Sequence, residues 1–167
     1  LEMKKRYDPY TPGRAATDLA DKIPELNNSS VATHLSIPFL FWTIRDWMGF
    51  ESLCMAFYDM PELIDEMFEF WTDFVIAVVD RYIGNLNPDM VEFKEDMAYK
   101  HAPMISPEMF DRFMRPHYIR LISYLKAHGV KVVYVDCDGY PGGLIDRWID
   151  CGVDCMSPTE IAAGCDP

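Results

Sequence analysis

Basic residues are scarce in these 167 amino acids: 15 lysines and arginines stand against 27 aspartates and glutamates, for a formal charge of −12. Such an imbalance argues against nucleic acid or an anionic membrane surface as the main partner, because both repel a net negative protein. No apolar run is long enough to span a bilayer, and the opening "LEMKKRYDPYTPGR" lacks the apolar core of a signal peptide. A cytoplasmic location is the expectation. Cysteine is sparse and irregular, with five residues at 54, 137, 151, 155 and 165 and no C-x-x-C pair, so neither a disulfide framework nor a compact zinc knuckle is indicated. The four histidines lie far from these thiols in sequence, with His117 and His128 expected on helix surfaces and His101 in a loop.

What is present is apolar content enough for a core, since half the residues are hydrophobic. The first thirty residues are polar and rich in turn formers, which predicts an irregular or short-helical opening segment, followed by βα units over residues 31–167. "VATHLSIPFLFW" predicts a strand over 32–37 that meets Pro38, then a loop and a helix near 49–58. Residues 61–83 carry Leu63, Ile64, Met67, Phe68, Trp71, Phe74, Val75, Val78, Val79 and Tyr82 at helical spacing, with Asp59 and Glu62 suited to cap the start. "DMVEFKED" predicts a second strand, Ser106 and Pro107 a helix start, and Pro116 an interruption of that helix before Gly129 ends it. "VKVVYVD" is a third strand, "PGGLIDRWIDCG" a short helix with a glycine stop, and "VDCMSPTE" a fourth strand.

Strands that alternate with helices in this way predict a parallel α/β sheet covered by helices, either a barrel or an open doubly wound fold. In both, chemistry gathers at the carboxyl ends of the strands. That rule selects Trp42, Arg45 and Asp46 after the first strand, Glu95 and Asp96 after the second, Asp136 and Asp138 after the third, and Glu160 after the fourth. Clustered carboxylates raise one another's pKa or call for a metal or cation. An acid at a strand end can equally cap the helix that follows it. Alternation puts Asp136 and Asp138 on one face with Tyr134, and Cys137 on the other.

Taken alone, "VVYVDCDG" matches the D-x-D-G signature of haloacid-dehalogenase phosphatases, which would make Asp136 a nucleophile and Asp138 a proton shuttle. That family needs a downstream lysine, and none of the 29 residues after Asp138 is one. A thiolate site at Cys137 is the other local reading, against that of a buried bystander.

Four stretches read in order, "PFLFWTIRDWMGFE", "MISPEMFDRFMRPHYIRLISYLKAHG", "VVYVDCDGYPGGLIDRWIDCGVD" and "SPTEIAAGCD", resemble the uroporphyrinogen decarboxylase superfamily, which contains haem-pathway decarboxylases and corrinoid-linked methyltransferases. The resemblance spans about 39–166 and implies a (β/α)8 TIM barrel, of which this chain would hold roughly the middle half. A first residue that is not methionine and a stop at "AAGCDP" fit that expectation of a fragment. The family's decarboxylases use an arginine-rich segment and an early aspartate that have no counterpart here. Its methyltransferases place H-x-C-G on this barrel strand to bind zinc, whereas this chain has Asp136, Cys137, Asp138 and Gly139. Oxygen ligands activate a thiol poorly, which weakens the zinc reading.

The resemblance implies decarboxylation of a porphyrinogen or related carboxylated substrate, with corrinoid- or thiol-linked methyl transfer as the alternative. Asp136, Asp138 and Asp96 are the candidate catalytic residues; Trp42, Arg45, Asp46, Glu95, Tyr99 and Glu160 are the candidate substrate contacts, Arg45 countering a substrate carboxylate and Glu95 facing the same pocket. No cofactor is required by these residues, although Asp136 and Asp138 could hold a divalent metal. A small molecule is the expected partner, and the resemblance leaves room for a corrinoid protein and for a homodimer.

Overall fold

The computed structural model describes residues 2–14 and 18–166; residues 1, 15–17 and 167 of the two spans delimited above lie outside the described residues. Two helices, α1 (Glu2–Arg6) and α2 (Leu19–Asn27), precede β1 (His34–Pro38). Then follow α3 (Leu40–Met48), α4 (Phe50–Asp59), α5 (Pro61–Ile83), β2 (Met90–Lys94), α6 (Pro107–Met109), a π-helical turn at Phe110–Met114, α7 (Arg115–Ala127), β3 (Val132–Asp136), α8 (Leu144–Cys151) and β4 (Cys155–Ser157). A 3₁₀ turn at Ile161–Ala163 comes last.

The four strands form one parallel sheet in sequence order, β1 beside β2 beside β3 beside β4. One face carries Ile37, Val91, Phe93, Val133 and Val135, all buried in a core shared with Ile64, Phe68 and Val75 of α5, Tyr118, Leu121 and Leu125 of α7, and Leu144 and Trp148 of α8. Branched and aromatic residues suit such a helix-covered face, where each large side chain contributes about 1.5–3 kcal/mol by leaving water. The opposite, concave face is polar. Its two rows nearest the carboxyl ends are Ser36, Glu92, Tyr134 and Cys155, then Pro38, Lys94, Asp136 and Ser157, and the row before them is His34, Met90 and Val132.

Several local expectations change. Pro38 ends β1 inside the sheet, because β1 is the edge of the four described strands and an edge tolerates the missing N–H. The aromatic segment after it is not a loop but α3, whose first three amides find an acceptor elsewhere in the fold. Neither Asp59 nor Glu62 caps α5: Met60 is its N-cap, with no side-chain bond, and Pro61 takes the first helical position. Ser106 does cap α6, its hydroxyl accepting from the Met109 amide. The interruption before Pro116 is the π-helical turn, which absorbs the amide that Pro116 lacks. The fourth strand is only three residues long, since Pro158 follows it at once. His117 is buried beside Glu69 rather than on the helix surface.

Candidate active site

The carboxyl ends of β2, β3 and β4 are tied together by their own backbone. The amides of Glu95 and Asp96 both donate to the Asp136 carbonyl at 3.1 Å, and the Cys137 amide donates to the Ser157 carbonyl at 2.8 Å. The loops above are joined as well: the Tyr140 amide donates to the Tyr99 carbonyl at 2.9 Å, and the Gly139 amide to Glu160 Oε2 at 2.9 Å. Gly139 is required at this crossing. Its φ of +82° lies in the left-handed region, and a Cβ there would stand 2.7 Å from the Tyr99 carbonyl oxygen.

Asp96, Asp138 and Glu160 line one cavity of about 430 Å³ with Tyr99, Lys100, Met104 and Gly139. Asp96 reaches it through a positive φ of 40°, a turn that sends consecutive acids to opposite sides. Arg45 of α3 holds that turn, its Nη1 donating to the Asp96 carbonyl at 2.9 Å and to Oδ2 at 3.2 Å. The Arg45 guanidinium lies 4.8 Å from the Trp42 ring, so aromatic and acid fix it together. Asp46 stands apart, lining an apolar groove beside β1 with Trp42, Trp47 and Trp71.

Glu95 is not in the mouth, which corrects its expected place in the substrate pocket. It is fully buried. Its carboxylate accepts from the α3 amides of Leu40 at 3.2 Å, Phe41 at 2.7 Å and Trp42 at 3.3 Å, and from the Tyr118 hydroxyl at 2.7 Å. The orphan amides of a helix N-terminus attract an anion, and here they draw Glu95 under the helix. Burial pushes its carboxyl up to about 7, with Tyr118 and the three amides pulling the other way. Phe39, Phe93 and Phe110 surround Tyr118 and keep water out.

Asp136 ends β3 on the concave face, half-buried, with Asp138 exposed in the loop beyond. Burial first, then the charges of Glu92 and Asp138, push the Asp136 carboxyl above the usual range, with Lys94 opposing. Burial, Asp96 and Glu160 push Asp138 up in turn. Both changes favour the protonated acid. Cys137, between them, points into the core, and burial pushes its thiol up to about 12. A thiol in that state is a poor nucleophile and a poor ligand.

Four residues outside the candidate site set complete the concave face: Glu92, Lys94, His34 and Tyr134. The Tyr134 hydroxyl donates to Glu92 Oε1 at 2.8 Å, His34 Nε2 lies 3.9 Å from Glu92 Oε2, and Lys94 stands one row above Glu92 and beside Asp136. Burial of Glu92 is outweighed by Ser36, Tyr134 and Lys94, which hold its carboxyl below the usual range. The signal was available in "MVEFK", where Glu92 and Lys94 share the period-two face of Tyr134 and Asp136.

The sequence pattern of uroporphyrinogen decarboxylase (URO-D) matches residues 43–162, a span that contains Arg45, Asp96, Asp136, Asp138 and Glu160. The chain belongs to the uroporphyrinogen decarboxylase family. A solved structure similar to it is a methyltransferase from Methanosarcina mazei, at 17% identity and a TM-score of 0.61, the match covering 87% of this chain and 45% of that one. The chain thus spans about half the length of that protein, and the likeness places its four βα units in a TIM-barrel fold. No sequence among the curated proteins matches. Family members are enzymes, decarboxylases and methyltransferases among them. Among the described residues no three His, Cys, Asp or Glu side chains form a group that could hold a metal ion. Among them, too, no helix is long and apolar enough to cross a membrane.

Proposed function

We propose that the URO-D fold of this chain serves as an acid–base lyase that removes CO2 from a carboxylated, porphyrinogen-like substrate, with Asp136 as the proton donor. The observation that carries this reading is the environment of Asp136, where burial and two neighbouring carboxylates favour the acid form at the end of a barrel strand. The carbon–carboxylate bond breaks, its electron pair stays on the carbon, and the Asp136 proton goes to that carbon. Water then returns the proton to Asp136. No electrons are exchanged with a third party, so no oxidant is needed. Asp138 and Asp96 raise the Asp136 pKa through their charge, and Arg45 keeps Asp96 in place.

Methyl transfer is less well supported by the geometry, because a buried neutral thiol and two carboxylates do not make a thiolate-activating centre. The two readings separate in one experiment. The full-length protein is incubated anaerobically with uroporphyrinogen, and in parallel with a methylated corrinoid and a thiol. CO2 and a product with fewer carboxylates are expected in the first vessel, and both are lost in D136N. Methylated thiol without CO2 would replace the lyase reading with the transferase.

A further inference from the structure

The cavity that holds Asp96, Asp138 and Glu160 has a neighbour of opposite character. Phe50 of α4, with Tyr99, His101, Pro103 and Met104 of the loop after β2, lines a pocket of about 580 Å³ together with Arg45 of α3. Pockets of this size commonly take small molecules. Tyr99 and Met104 line both spaces and form the wall between them. The acids fall on one side of that wall: among the described residues no aspartate or glutamate lines the second pocket, in a chain that carries 27 of them. Arg45 spans the division. Its Nη1 donates to the carbonyl and to Oδ2 of Asp96, while its Nε and Nη2 donate to no group among the described residues. Asp96 itself lines the acidic cavity and not the pocket. A guanidinium is a planar fork with five N–H groups, so one edge can hold Asp96 while the other receives a second acceptor.

We propose that this pocket is a binding site for a planar aromatic carboxylate, its ring against Phe50 and Tyr99 and its carboxylate on the free edge of Arg45. Phe50 is 46% and Tyr99 73% exposed, so both rings keep apolar surface that a ligand ring can cover. Tyr99 does not hang from a slack loop. Its amide donates to the Ala102 carbonyl at 2.8 Å, its carbonyl accepts from the Tyr140 amide at 2.9 Å, and the Met104 amide donates to the Met97 carbonyl at 2.9 Å. A ring carried on a fixed backbone has less freedom to lose on binding. Met104 adds a thioether, which packs well against aromatic edges. The Arg45 fork is oriented in advance, with Asp96 on one edge and the Trp42 ring 4.8 Å away. The same carboxylate is repelled from the neighbouring cavity by Asp138 and Glu160. Under the lyase reading, on which only its catalytic meaning rests, the pocket anchors one ring of the substrate next to the acidic cavity.

The test measures binding rather than turnover. Ligand-observed NMR titrations of the full-length protein use 2-naphthoate, its methyl ester and 2-naphthylmethylamine, with F50A, R45M and K100M as variants. Wild type is expected to bind the carboxylate about fivefold or more tighter than the ester or the amine, and R45M to lose that preference. F50A removes an exposed ring that lines only this pocket, and should weaken all three probes about fivefold or more. Lys100 lines only the acidic cavity, so K100M should bind as wild type does. Should R45M fail to fold, F50A and K100M decide. Wild-type affinity in F50A, equal affinity for carboxylate and ester, preference for the amine, or weakening in K100M but not in F50A overturns the proposal. Binding that depends on Phe50 in a protein that releases no CO2 from uroporphyrinogen supports the pocket and removes only the lyase reading, whereas CO2 release without such binding removes only the pocket.

Discussion

The Tyr118 hydroxyl and the Phe41 amide close on opposite oxygens of the Glu95 carboxylate, each at 2.7 Å, so one buried side chain joins β2, α3 and α7. Through that carboxylate the position of α3 is set, and with it Trp42 and Arg45. Arg45 in turn holds the turn at Asp96. A chain of contacts thus runs from a group with no access to substrate to an acid on the cavity wall.

Glu95 should make stability depend on pH. Its folded pKa of about 7 lies above the ordinary 4.5, so its contribution is full below the unfolded value and is lost as pH rises through the folded one. The displacement is worth on the order of 3 kcal/mol. Urea unfolding of wild type and E95Q between pH 4 and 8 should show the difference between them changing across this window. A constant difference would mean that Glu95 does not ionise there.

Replacing Gly139 by alanine should cost roughly 1–3 kcal/mol, since the left-handed backbone and the Tyr99 carbonyl both oppose a Cβ. The same change at Gly13, which also has positive φ but meets nothing within 4 Å, should cost less. Denaturation midpoints of G139A and G13A measure the gap.

The thiols should react in order of exposure. Cys155 lies open on the sheet edge, whereas Cys137 and Cys151 are buried with pKa values pushed up to about 12 and about 11. Alkylation at pH 8 followed by mass spectrometry should label Cys155 first and Cys137 only in denaturant. Rapid labelling of Cys137 in the folded protein would return it to the list of functional groups.

Much of the fold was legible because its signals are local. The long apolar stripe of α5, the Ser106 cap and the Gly152 stop each act within a few residues. What the sequence concealed depended on distant partners. Residues 40–48 read as a loop because their N-terminal acceptor is Glu95, some fifty-five positions away. For the same reason Glu95 read as a site acid beside Asp96: nothing in the dipeptide reveals that a positive φ at Asp96 turns the two apart. Asp136 and Cys137, by contrast, were separable by strand alternation alone, and Lys94 could have been found by the same rule.

If Asp136 is the proton donor, activity should fall as pH rises through its pKa. The charge of Asp138 helps keep that pKa high, so D138N should move the falling limb of the kcat/KM profile to lower pH. An unmoved limb in D138N would detach the profile from Asp136.

The most direct test of the account is CO2 release from uroporphyrinogen in D2O, followed in wild type and D136N with the fold of each verified by circular dichroism. With Asp136 as proton donor, one deuterium is expected at the carbon that lost CO2, and a rate at least about a hundredfold lower in D136N. A D136N enzyme that releases CO2 at the wild-type rate would contradict it.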